Sequence, residues 1–124
     1  MSALPNFVGF ADEFREPGQT VIRPERFAAA LNLQLQELAQ LAHVHRATVS
    51  EAPANARLQG YMRESLQVIS AALEVAHDRD RALYWYRNAP IPAFQHRTAE
   101  QLVADHKTEA VLAYLQSIRG GSSE

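Results

Sequence analysis

From about residue 23 onward, apolar side chains recur at intervals of three and four, the period of a helix with one buried face. Phe27, Ala28 and Leu31 share a face behind Pro24, which suits a first helical position because no intrahelical N–H bond is lost there. A second helix is expected over about 34–42, with Leu35, Leu38, Ala39 and Ala42 on one stripe, and a short third over about 46–52. The longest should run from about Ala54 to His77. Leu58, Tyr61, Met62, Leu66, Ile69, Leu73 and Ala76 keep its rhythm, while Arg63, Glu64, Gln67 and Glu74 occupy the other face.

Asp78 reads as the N-cap of a helix through Ala82, Leu83, Trp85 and Tyr86, because its carboxylate can accept from the free N–H groups of the first turn. Pro90 and Pro92 stop that helix. Thr98 and Gln101 make a capping box ahead of Leu102 and Val103. A last helix, about Thr108 to Arg119, offers Val111, Leu112, Leu115 and Ile118 for burial and ends at Gly120-Gly121. Residues 1–22 hold Pro5, Gly9, Pro17 and Gly18 without a sustained period and are expected to form an arm. No strand pattern survives. The expectation is an all-α fold with an arm (1–22), an N-terminal helical bundle with a long connecting helix (23–77), and a small C-terminal helical domain with its tail (78–124).

Composition narrows the function more than the fold. At 124 residues and 47% hydrophobic content, the chain can bury one core. It has no cysteine, which removes disulfides, thiolate metal sites and a cysteine nucleophile. The start MSALPNFVGFADEFREP lacks a cationic opening and an unbroken apolar stretch, and no run reaches membrane-spanning length. A cytoplasmic protein with no membrane partner is expected. The formal charge is −2, and within residues 1–60 five arginines face six carboxylates. Any DNA contact must therefore come from a local arrangement.

Nothing in the chain assembles catalytic chemistry. His43 and His45 are two apart, while His77, His96 and His106 are scattered, so local spacing gives no metal ligand set. Asp78, Asp80 and Glu74 could be paired carboxylates, but Arg79 and Arg81 interleave with them, as on a solvated helix start. No enzyme activity, metal or cofactor is expected.

Residues 35–52 resemble the helix-turn-helix of Xre-type repressors. Ala39 is the small residue at the helix crossing, Val44 plugs the turn and Val49 anchors the second helix. The resemblance would turn Arg46, Thr48 and Ser50 toward a DNA major groove, where arginine can fork onto guanine. Three departures are visible. His43 fills a turn position usually given to glycine, His45 a capping position commonly given to serine, and Pro53 cuts the second helix short. Both a DNA-reading module and a packing unit that has kept only the fold remain open.

Residues 82–121 resemble the C-terminal toxin-binding domain of the Xre/MbcA/ParS family of antitoxins. The resemblance rests on the spacing of the Trp85 helix, the break at Pro90, Phe94, Thr98 before Leu102-Val103, Val111-Leu112, Leu115, and Ile118 before glycine. Ala99 replaces a frequent proline, Gln95-His96 a small glycine-rich turn, and His106-Lys107 another frequent glycine. The resemblance implies a protein partner, a RES-type toxin that degrades NAD or transfers its ADP-ribosyl part. It also implies an antitoxin that occludes this enzyme and often represses its own operon. Tyr84, Trp85, Tyr86 and Arg87 are consecutive, and consecutive helical residues cannot all face one core. Trp85 is read as core, and Tyr86, Arg87 and Phe94 as candidate toxin contacts. Arg119, Gly120 and Gly121 are candidates to enter the toxin's cleft from a free end. The wide apolar stripe of the long helix exceeds what a thin bundle covers, so a homodimer is also expected. The other reading is a stand-alone helix-turn-helix regulator whose C-terminal half only dimerises.

Overall fold

The computed structural model describes residues 9–120. Among these, every regular element is helical, apart from two isolated antiparallel bridges, Arg15 with Ile22 and Ile91 with Arg97. The helices are α1 (Pro24–Leu31), α2 (Leu35–Ala42), α3 (Arg46–Glu51), α4 (Ala56–Ala76), α5 (Arg79–Asn88), α6 (Ala99–Ala104) and α7 (Thr108–Arg119), with a 3-10 turn at Pro92–Phe94. A further helical turn occupies residues 9–12.

Local signals account for most of these boundaries. Pro24 opens α1, and Asn55 caps α4 by accepting from the Leu58 N–H at 3.0 Å. The Asp78 carboxylate accepts from the N–H groups of Asp80 and Arg81. Thr98 and Gln101 form the reciprocal box at the start of α6. Several helix ends turn on residues with left-handed backbone. Asn32, His43 and His77 follow α1, α2 and α4 with φ near +60°, and Gln95, His96 and His106 do the same in later turns. Four of these, His43, Gln95, His96 and His106, lie in the turns where the family resemblance leads one to expect glycine, and each left-handed side chain costs about 1 kcal/mol.

The segment before α1 is not an arm where it is described. Phe10, Ala11, Phe14 and Ile22 are buried, and the Phe10 and Phe14 rings meet edge to face at 5.4 Å. The guanidinium of Arg79 lies 5.2 Å from the Phe10 ring centre and pairs with Glu13. Buried Gln59 completes the attachment. Its Oε1 accepts from the Ile22 N–H at 2.9 Å, and its Nε2 donates to the carbonyls of Ile22 and Pro53 at 2.8 Å. The irregular sequence hid this packing, because one aromatic per turn and one isoleucine are too few to make a period.

Helix α4 is the axis of the molecule. It packs chiefly against α5 and α7, and also against α2 and α6. Leu58, Tyr61, Met62, Leu66 and Ile69 are all buried within the single chain, and Leu73 is half-buried. The wide stripe that suggested a homodimer is thus covered by the chain's own helices. On α7, Val111 and Leu115 are buried and Leu112 half-buried, but Ile118 is 42% exposed, against its expected burial.

Candidate functional site

Two surfaces carry the residues of interest. The first is the α2–α3 unit. Helix α2 ends at His43 (φ +61°), and Val44 N–H returns to the Ala39 carbonyl at 3.0 Å, which closes the turn. Ala39 and Val49 are buried, as a helix-turn-helix requires. His45 makes no side-chain capping bond, and α3 spans six residues. Arg46 and Ser50 are exposed, whereas Thr48 is half-buried. The described geometry therefore leaves Arg46 and Ser50 fully available and Thr48 partly so.

The second surface lies on the C-terminal helices, and there the structure redistributes the candidates. Tyr86 is fully buried, its hydroxyl donating to Ser65 Oγ at 2.7 Å, and Ser65 donates onward to the Tyr61 carbonyl at 2.9 Å. Burial pushes the Tyr61 hydroxyl up to about 12 and holds that of Tyr86 well above the ordinary phenol range, so both stay neutral. Tyr86 is a core residue and not a surface contact. The reason is helical spacing: Ala82 and Tyr86 lie four apart on the buried face, whereas Tyr84 points outward at 68% exposed. Trp85 is half-buried between them.

Arg87 is also committed inside the chain. Its Nε lies 3.0 Å from Glu100 Oε2, its Nη1 donates to the Leu31 carbonyl at 3.0 Å and to that of Asn32 at 3.3 Å, and its Nη2 approaches Glu37 at 3.7 Å. One guanidinium thus binds the end of α1, α2 and α6 to α5. Glu100 is only 7% exposed, and burial raises its pKa by more than Arg87 lowers it, with repulsion from Glu37 adding to the rise.

Phe94 is half-buried, edge to face with Tyr114 at 5.9 Å. Arg119 does not project freely: its Nη1 lies 2.8 Å from Glu74 Oε1, which ties the end of α7 to α4. Gly120 is exposed, and Gly121 falls outside the described residues. The two large apolar side chains left exposed among the described residues are Tyr84 and Ile118. Neither was a candidate from sequence, although the run of three aromatics required that one face outward. Among the described residues, no group of three or more histidines and carboxylates converges as a metal site would require. No described helix is long and apolar enough to cross a membrane.

Comparison with known proteins agrees with this architecture. Residues 71–121 match the model of the family described as the antitoxin Xre/MbcA/ParS C-terminal toxin-binding domain. A chain of the M. tuberculosis MbcT–MbcA toxin–antitoxin complex is similar in structure, with a TM-score of 0.59 and 25% identity over 80% of this chain and 92% of that one. No curated protein sequence matches. The helical fold and the matched domain are those of a toxin-binding antitoxin. Residues 71–121 thus carry a toxin-binding domain of the Xre/MbcA/ParS antitoxin type.

Proposed function

We propose that this antitoxin silences a RES-type toxin, an enzyme that degrades NAD or transfers its ADP-ribosyl part, by binding it and covering its active site. The protein itself acts as a binder and performs no NAD chemistry. The observation that carries this reading is the match of residues 71–121 to a toxin-binding domain, supported by the fold shared with a chain of the MbcT–MbcA complex. Tyr84 and Ile118, both within the matched segment and both exposed, are the proposed anchors of the contact, with Phe94, Arg119 and Gly120 beside them. Tyr86 and Arg87 serve it only by supporting the helix that presents Tyr84.

The test co-expresses the protein with the products of its neighbouring genes, captures any RES-type toxin among them, and follows cellular NAD and growth. Tyr84→Ala and Ile118→Asp should keep the helical circular dichroism of the parent while weakening capture of the toxin by about tenfold or more each. Full protection by both variants would assign neutralisation to another surface. No toxin captured by the unaltered protein would refute the reading itself.

We also propose that α2 and α3 bind the operator of the pair, with Arg46 and Ser50 facing the groove and Thr48 at its edge. Arg46 favours this second role: it is exposed on the first turn of α3 and makes no ion pair among the described residues.

A further inference from the structure

All twelve lysines and arginines of the chain lie among the described residues, and seven of them are paired with carboxylates: Arg15, Arg23, Arg26, Arg79, Arg87, Arg97 and Arg119. The other five make no ion pair there, and three of these, Arg46, Arg57 and Lys107, gather around the turn between α2 and α3. Arg57, on the first turn of α4, donates to the His43 carbonyl at 3.3 Å. The His43 ring donates from Nε2 to the Ala104 carbonyl at 2.9 Å and stacks on His106, with centroids 5.9 Å apart. His43, Arg57, His106 and Lys107 line one open groove. The carboxylate in that groove, Asp105, is itself paired with Arg97.

This arrangement joins two parts of the molecule. His43 belongs to the turn between α2 and α3, whereas Ala104, His106 and Lys107 belong to the matched toxin-binding domain. Arg57 and Lys107 line this open groove together with His43, and Arg46 opens α3 three residues after His43, on the helix assigned to the DNA groove. A run of unpaired cations next to a groove-reading helix suits the regularly spaced phosphates of a DNA strand.

We infer that Arg57 and Lys107 grip the phosphate backbone of duplex DNA, so that the toxin-binding domain supplies part of the DNA interface. The inference rests on the operator reading of α3. Glu64 and Glu109 line an adjoining cavity with His106 and limit the surface on that side.

The test measures binding of the full chain to a duplex from its own upstream region and to a random duplex, across a series of salt concentrations. Arg57→Gln and Lys107→Gln should each weaken both duplexes equally, by about five- to tenfold near 0.1 M salt. Each should also flatten the slope of log affinity against log salt by about one. Arg46→Ala should instead weaken the specific duplex more than the random one. Both glutamine variants alter exposed side chains, and unchanged circular dichroism controls for folding. Unchanged slopes in both, with Arg46→Ala still losing the specific duplex, would overturn this inference alone. Loss of toxin capture with DNA binding intact in Lys107→Gln would overturn it in favour of a toxin contact. No binding to either duplex by the unaltered protein would overturn the operator reading and this inference together.

Discussion

Replacing Arg87 with methionine should destabilise the whole protein, because one guanidinium serves four partners on three other elements. The substitution keeps an unbranched side chain of similar reach and removes the charge. Glu100 then keeps a carboxylate that is 7% exposed without its partner at 3.0 Å, and the carbonyls of Leu31 and Asn32 lose their donor. Breaking a fully buried pair by removing one partner costs about 3–5 kcal/mol. Here the Arg87 side chain is 25% exposed, which screens part of the interaction and brings the expected loss to about 2–3 kcal/mol at neutral pH.

The pH dependence identifies the source of that loss. Burial raises the Glu100 pKa above the ordinary carboxylate range, against the pull of Arg87. A carboxyl whose pKa rises on folding holds its proton more tightly in the folded chain. Its contribution is therefore fully present below the ordinary range and lost as pH rises through the raised value. Without Arg87 the value moves higher still. The penalty relative to the parent should be largest at neutral pH and shrink toward about pH 4, where only the lost carbonyl bonds remain. Urea unfolding of the parent, Arg87→Met, Glu100→Gln and the double variant at both pH values gives the full cycle. The double variant should recover at least about 1 kcal/mol at neutral pH. A loss below about 0.5 kcal/mol at neutral pH, or no recovery with Glu100→Gln, would refute the argument.

Two further outcomes follow from the packing. Gln59→Leu should cost about 2–4 kcal/mol in urea unfolding, because it strands the buried N–H of Ile22 and the carbonyls that Gln59 serves. Limited proteolysis of that variant should cut first within residues 15–22, and an unchanged cleavage pattern would show that Gln59 does not secure this segment. His96→Gly removes a side chain from an exposed residue at φ +66° and should raise the melting temperature by about 2–4 °C, the gain from relieved backbone strain exceeding the added freedom of the unfolded chain. A fall in melting temperature, followed by circular dichroism, would mean that the histidine ring makes a contact worth more than the strain.

What the sequence alone determined here is what depends on residues within a few positions of one another. Asp78 and the Thr98–Gln101 box start their helices by bonding their own first turns, Pro24 fits a helix start, and Pro90 with Pro92 ends α5. The spacing of such signals also carried the likeness to the antitoxin domain, since spacing survives changes such as Gln95-His96 for a glycine-rich turn. Only the tertiary structure decided what covers each apolar face and which polar groups are consumed inside. Periodicity marked the stripe on α4 as buried, but not that α5, α7 and their neighbours would bury it within one chain. Tyr86 finds Ser65, Arg87 finds Leu31 and Glu100, and Gln59 finds Ile22, pairings set by how helices cross and not by their order. That geometry took Tyr86 and Arg87 off the surface and left Tyr84 and Ile118 on it, because burial depends on the neighbour a side chain meets and not on its own character.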